Sequence, residues 1–193
     1  MDSDTLQELK GSGFDKGTIS RFELYIGLLK RWNEAFNLVS KNDLVHVESR
    51  HLLDSVRLVS YMANEGSLID IGSGAGFPGL PLAIATDLDV TLVERSQKKA
   101  TFLNQVKLEL ELNSLEVCAQ DARQMKTKDF DLATIRAVDK PIAAWALAAP
   151  NLVVGGRMLL QTGEPVSLSF ADGKLEGTDR AEIGWVSVVR KMR

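Results

Sequence analysis

The chain has one cysteine, Cys118, in 193 residues. A single thiol excludes an internal disulfide and any multi-cysteine metal site, so no metal is expected. Cys118 falls within an apolar run, the setting of a core filler rather than a nucleophile. No run approaches the roughly 20 apolar residues of a membrane span. The start, Met1-Asp2-Ser3-Asp4, lacks the basic and apolar parts of a secretory signal, so a cytoplasmic protein without membrane contact is expected. A basic excess is missing too. The formal net charge is −3 and the pI about 5.5, which argues against a non-specific nucleic-acid binder but leaves open one structured RNA met by a local patch. Basic residues cluster at Lys30-Arg31, at Lys98-Lys99 with Lys107, and in the tail Arg190-Lys191-Met192-Arg193. Each cluster by itself reads as a solvated face. Apolar residues at 45% and charged residues at 25% are ordinary for a globular protein of one domain.

From Ser3 to about Ser60 the pattern is helical. Phe22, Tyr25, Leu29, Trp32 and Phe36 recur at spacings of three and four, which predicts one face of a helix from about Thr18 to Asn37. Asp43 reads as the N-cap of a further helix carrying Leu44, Val47, His51, Leu52, Ser55, Val56 and Val59 on one face. Residues 1–64 are thus expected to form a helical cap packed on a core of residues 65–193, since about 60 residues make only a marginal core alone. Within the cap, Arg50, His51 and Asp54 concentrate polar groups. They fit either a helix-surface ion pair with a satisfied histidine, or a patch that closes over a ligand and contacts substrate. Asn37-Leu38-Val39-Ser40 is either an ordinary loop or part of the same rim.

The chain is organised around Ser67 to Gly79, an apolar run that ends in Asp70 and a nest of glycines. Leu68, Ile69 and Ile71 predict a strand, and Gly72, Gly74 and Gly76 a turn that brings backbone close to a ligand. A helix from about Phe77 to Thr86 would aim its N-terminus at that ligand. Gly74 to Gly79 satisfies the dinucleotide pattern G-x-G-x-x-G, but the strand ends at Ile71, so that frame begins two residues late. Asp70 to Gly76 matches D-x-G-x-G-x-G, the arrangement of S-adenosylmethionine-dependent methyltransferases, and fits better. A second strand, Val90 to Glu94, ends in an acid about 20 residues beyond the glycines, where a carboxylate accepts both ribose hydroxyls. Ser96 then caps a helix to about Asn113. A third strand, Leu115 to Ala119, leads to Gln120-Asp121-Ala122-Arg123, the loop that meets an adenine edge in such sites. Strand four, Phe130 to Ile135, places Arg136 at the crevice where open α/β sheets bind ligands. A helix from Lys140 to Ala149, a strand from Gly155 to Gln161, a loop-like stretch from Thr162 to Gly184 and a last strand, Trp185 to Val189, complete a doubly wound α/β sheet.

Trp32-Asn33, Asn37-Leu38, Arg50-His51-Leu52-Leu53-Asp54-Ser55, the turn from Asp70 to Pro81, and Phe130-Asp131 leading to Arg136-Ala137 occur in the order seen in one family. The chain resembles, over nearly its whole length, the bacterial small-subunit (16S) ribosomal RNA methyltransferase G family, also called glucose-inhibited division protein B. The resemblance implies a Rossmann-like class I S-adenosylmethionine-dependent methyltransferase. Its reaction would be methyl transfer to N7 of one guanine in 16S rRNA, by a monomer acting on the 30S subunit. By position, Gly72 and Phe77 would contact the cofactor at the first loop, with Asp70, Gly74 and Gly76 in the same turn. Glu94 would hold its ribose, and Asp121, Ala122 and Arg123 its adenine. Arg136 would sit between cofactor and substrate as the catalytic candidate, and Arg50, His51 and Asp54 would face the substrate. The chain departs from the family at Ile135, where Ser is common, and at Thr162, where Lys is common before the glycine. If the lysine replaced by Thr162 helps hold RNA, substrate grip is the part that departure touches, not cofactor binding.

Guanine N7 carries a lone pair and no proton, so it attacks a sulfonium methyl without a general base. Exocyclic-amine methyltransferases commonly carry an N/D-P-P-Y turn after strand four, where this chain has Ile135-Arg136-Ala137. Three other readings compete: a methyltransferase for a small metabolite, a non-catalytic RNA- or protein-binding module on the same fold, and, weakest, a nicotinamide dehydrogenase.

Overall fold

The computed structural model describes residues 1–62, 66–136, 140–181 and 184–193. The expected boundary at 64/65 lies outside these residues, as do Ala137 and Val138.

The first part is helical. Helix α1 (Ser3–Gly11) is capped by Asp2 and α2 (Lys16–Phe36) by Asp15, each carboxylate accepting a backbone N–H three residues on. Phe22, Tyr25 and Leu29 lie fully buried along α2, as their period predicts, while Phe36 at its end is 39% exposed. Asn37 ends the helix in the left-handed region, φ +47°. The next segment corrects the single helix expected from Asp43. Ser40 is the N-cap, its hydroxyl accepting Asp43 N–H at 3.1 Å, and Asp43 is the third residue of a short α3 (Lys41–Val45). The chain then winds as a π-helical turn (Val47–Leu52), α4 (Leu53–Val56) and a 3-10 turn (Arg57–Tyr61). Hydrophobic spacing sets the buried face, and these windings change pitch without turning that face outward.

Among the described residues seven strands follow, β1 (Ser67–Ile71), β2 (Asp89–Val93), β3 (Leu115–Cys118), β4 (Phe130–Arg136), β5 (Leu152–Thr162), β6 (Gly173–Arg180) and β7 (Trp185–Lys191), in the order β3-β2-β1-β4-β5-β7-β6. The first five are parallel, and β7 is antiparallel to β5 and β6. Strand β6 corrects the loop expected between Thr162 and Gly184. It is an edge strand with two glycines and mostly polar side chains, so it shows no apolar alternation.

The period of two divides the strands between two cores. Leu68, Leu92, Leu132 and Leu159 pack with α1, α2, α5 (Gly79–Ala85) and α6 (Gln97–Glu109) on one face. Ile69, Val93, Ile135 and Leu160 pack with α7 (Pro141–Ala148) on the other. The strand order reverses between β1 and β4, so their C-terminal ends open into a crevice at the switch point.

Candidate functional site

The glycine turn is held from three sides. Gly72 and Ser73 donate to the Val93 carbonyl at 2.8 and 3.1 Å, and Gly74 N–H donates to Glu94 Oε2 at 2.9 Å. From the helical layer, the buried Tyr25 hydroxyl donates to the Ala75 carbonyl at 2.8 Å. A Cβ built on Gly72, whose φ is +78°, meets nothing within 4 Å, so the space before this residue is open to a ligand.

Asp70 faces inward, away from that space. It is 1% exposed and accepts from Thr134 Oγ1 at 2.8 Å and Gly79 N–H at 3.2 Å. Burial pushes its pKa up from 3.8 to about 6, against the pull of these hydrogen bonds. This corrects the expectation of a helix aimed at the ligand: α5 begins at Gly79, and its first N–H is taken by Asp70. A Cβ at Gly79 would lie 2.3 Å from Leu92 Cδ2 and 2.6 Å from Asp70 Oδ2, so only glycine permits this approach.

Two crevices meet at the turn. The first, about 550 Å³, lies beyond the ends of β1, β2 and β4 and is lined by Gly72, Glu94, Asp121, Ala122, Arg123 and Arg136, among others. Its volume suits a small-molecule site. Glu94 is 7% exposed, and each of its oxygens already accepts one backbone N–H, from Gly74 and from Ser96. That fixes the carboxylate plane while leaving a lone pair on each oxygen. Asp121 and Arg123 form an ion pair at 2.5 Å, and the guanidinium holds the Asp121 carboxyl well below the usual range.

The second crevice, about 320 Å³, opens between the helical layer and the turn and is lined by Leu38, Val39, Ser40, Asp43, His51, Gly72, Ser73, Gly74, Ala75, Phe77, Lys99 and Arg136. The segment from Leu38 to Ser40 is thus a rim. Asn33 Oδ1 holds it by accepting Val39 N–H at 2.9 Å. Gly72 and Arg136 belong to both crevices and form the wall between them.

Arg136 bonds His51 Nδ1, joining residues 85 positions apart. A guanidinium only donates, so His51 accepts at Nδ1 and carries its proton on Nε2, which faces Asp43 Oδ1 at 3.5 Å. Burial and the adjacent Arg136 pull the His51 pKa down to about 4, so the ring is neutral at pH 7. The His51 ring lies 5.6 Å from that of Phe77, centre to centre.

Of the sequence-derived candidates, Gly72, Gly74, Phe77, Glu94, Asp121, Ala122, Arg123, His51 and Arg136 line one or both crevices. Asp70, Gly76, Arg50 and Asp54 line neither. Gly76 packs against Leu80 and Tyr25, and Asp54, 3% exposed, is paired with Arg57. Sequence reasoning missed Asp43 and Lys99 as crevice residues. The spacing Ser40-x-x-Asp43 was the available signal, because an N-cap serine accepts the N–H of the residue three on and so fixes an acid there beside the loop it caps. The basic tail is tied down: Arg190 pairs with Glu176, Lys191 Nζ bonds the Ala149 and Leu152 carbonyls, and Arg193 pairs with Asp172. Thr162 Oγ1 donates to the Glu164 carbonyl at 2.7 Å. Among the described residues, no helix is long and apolar enough to cross a membrane, and no metal-ligating cluster occurs.

Comparison with known proteins bears on the fold and the family. The fold matches M. jannaschii TYW2, solved in complex with AdoMet, with a TM-score of 0.54 and 15% identity, over 72% of this chain and 74% of that one. The chain is 40% identical to ribosomal RNA small subunit methyltransferase G of Granulibacter bethesdensis, over 85% of this chain and 72% of that protein. It is 38% identical to the protein of the same name from Halorhodospira halophila, over 82% and 76%. A family model described as rRNA small subunit methyltransferase G matches residues 18–172. That span contains the glycine turn, Glu94 and Arg136, and on the family model and these relatives the chain belongs to the rRNA small subunit methyltransferase G family.

Proposed function

We propose that this protein transfers a methyl group from S-adenosylmethionine to N7 of one guanine in 16S rRNA. It acts as a monomer on the 30S subunit, in the cytoplasm. The observation that carries the reading is the common wall, Gly72 and Arg136, between a crevice suited to the cofactor and a second one beside the helical layer.

In the first crevice Glu94 takes the two ribose hydroxyls on its remaining lone pairs, and the turn at Ala122 and Arg123 frames the adenine. Gly72 lets the ligand approach the backbone. When bound, S-adenosylmethionine supplies an electrophilic methyl: the N7 lone pair forms the new N–C bond as the S–C bond breaks, leaving its electron pair on sulfur and a positive charge on the base. No side chain has to remove a proton. The residues therefore act by holding the base in line and excluding water, with effective-molarity gains of several kcal/mol. Arg136, fixed by His51, sets the separation between the two ligands, and His51 and Phe77 form the floor under the base.

The test is incubation of purified protein with radiolabelled S-adenosylmethionine and 30S subunits that lack the modification, followed by N7-sensitive strand cleavage. Label at a single guanine is expected. Cofactor binding with no label on 30S particles or on free 16S rRNA would refute the assignment.

A further inference from the structure

The second crevice contains one carboxylate among its described lining residues, that of Asp43. Asp43 is held unusually well for a residue on a five-residue helix. Its Oδ2 accepts the Ser40 hydroxyl at 2.6 Å, and its Oδ1 faces His51 Nε2 at 3.5 Å. The Ser40 hydrogen bond, with help from His51 and Arg136, lowers its pKa from the ordinary value, so it is ionised at pH 7. Each oxygen keeps an unused lone pair, and the side chain remains 45% exposed toward the opening. The other charged groups on the lining are the cations Lys99 and Arg136.

A purine that presents two adjacent N–H donors fits this carboxylate. Guanine does so with N1–H and its 2-amino group, whereas adenine offers a bare N1 acceptor and no 2-amino group. With that edge held, N7 lies on the far side of the ring, with O6 between. Resting on the function proposed above, we propose that Asp43 is the guanine-specifying residue: its carboxylate accepts N1–H and the 2-amino group and turns N7 toward the Gly72–Arg136 wall. The same charge offsets the positive charge the base gains on methylation. His51 is then a positioning residue that links the base-reading carboxylate to Arg136.

The experiment compares 30S subunits reconstituted with guanine or with inosine at the mapped target. Inosine keeps N1–H, O6 and N7 and lacks only the 2-amino group. The wild-type protein is expected to lose about 10- to 100-fold in kcat/KM on inosine, the range of one specific base contact. In Asp43→Ala, activity on guanine falls and the inosine penalty shrinks to within about threefold, with cofactor affinity by calorimetry unchanged within about twofold. Ser40→Ala removes the bonds that hold Asp43 but leaves its carboxylate, so the inosine penalty is expected to fall between those of wild type and Asp43→Ala; a penalty as small as that of Asp43→Ala would overturn the direct role of the carboxylate. An equal penalty in wild type and Asp43→Ala, or none in wild type, overturns this role while leaving the methyltransferase reading intact. Absence of transfer by wild type to the guanine particle overturns both.

Discussion

Replacing Asp70 with asparagine should make the protein more stable at neutral pH and leave it nearly unchanged in acid. Asp70 is 1% exposed, and burial raises its pKa from 3.8 to about 6. The folded state therefore holds its proton more tightly than the unfolded chain does. The stability this contributes is fully present below about pH 4 and is lost as pH rises through about 6. A rise from 3.8 to about 6 corresponds to about 3 kcal/mol. The substituted amide does not titrate. Its carbonyl can accept the Gly79 N–H, and its NH2 group can donate to the Thr134 hydroxyl, replacing the two bonds of the carboxylate. Other carboxylates titrate over the same range, so the useful quantity is the difference between variant and wild type. Urea unfolding followed by tryptophan fluorescence at several pH values between 4 and 8 gives that difference. Asp70→Asn should gain about 3 kcal/mol relative to wild type between pH 4 and 7, with the change centred between the two pKa values. A difference independent of pH would refute the reasoning. A fall in cofactor affinity without any change in stability would instead mean that the carboxylate reaches the ligand.

Glu94→Gln should weaken S-adenosylhomocysteine binding about 10- to 100-fold by calorimetry. An analogue lacking both ribose hydroxyls should show a clearly smaller difference between the two proteins, the remainder being the backbone N–H that the amide NH2 can no longer accept; equal affinity for the natural ligand would remove Glu94 from the ribose. Gly79→Ala should cost about 1–3 kcal/mol of stability, because the added methyl meets Leu92 and Asp70. Gly72→Ala should lose cofactor affinity with a smaller loss of stability, and a calorimetric and urea comparison of the pair separates the two roles. Tyr25→Phe should lose about 1 kcal/mol by removing the buried bond to the Ala75 carbonyl, read as a shift in urea midpoint.

Much of this was legible in the residues. The α2 face was legible because Phe22, Tyr25 and Leu29 repeat at helical spacing. The β1–α5–β2 unit was legible because a glycine turn between two apolar runs has few other uses. The sequence pattern also put Glu94 and Arg136 at strand ends, where topology alone carries them into the first crevice. What could not be read depends on long-range partners. Where the α5 N-terminus points could not be read, because Asp70 and Gly79 meet only after the chain has turned. The pitch changes from Lys41 to Tyr61 leave the hydrophobic period intact, so they leave no mark in it. Strand β6 earns its place by pairing with β7 rather than by burying its own side chains. Asp43 gains its significance from His51 and, through it, from Arg136 on another element.

The hydrophobic contacts of α1 and α2 have a consequence for synthesis. Leu9, Phe22, Tyr25 and Leu29 share one cluster with Leu68, Leu92, Leu132, Leu159 and Val188. The helices therefore leave the ribosome well before the strands that cover them have been translated. During that interval the nascent chain presents an oily, unpartnered stripe, the state in which chaperones bind and aggregation begins. Slower elongation through the region that encodes the sheet would lengthen this exposure, so codon usage there should affect the yield of folded protein more than codon usage in the first helices.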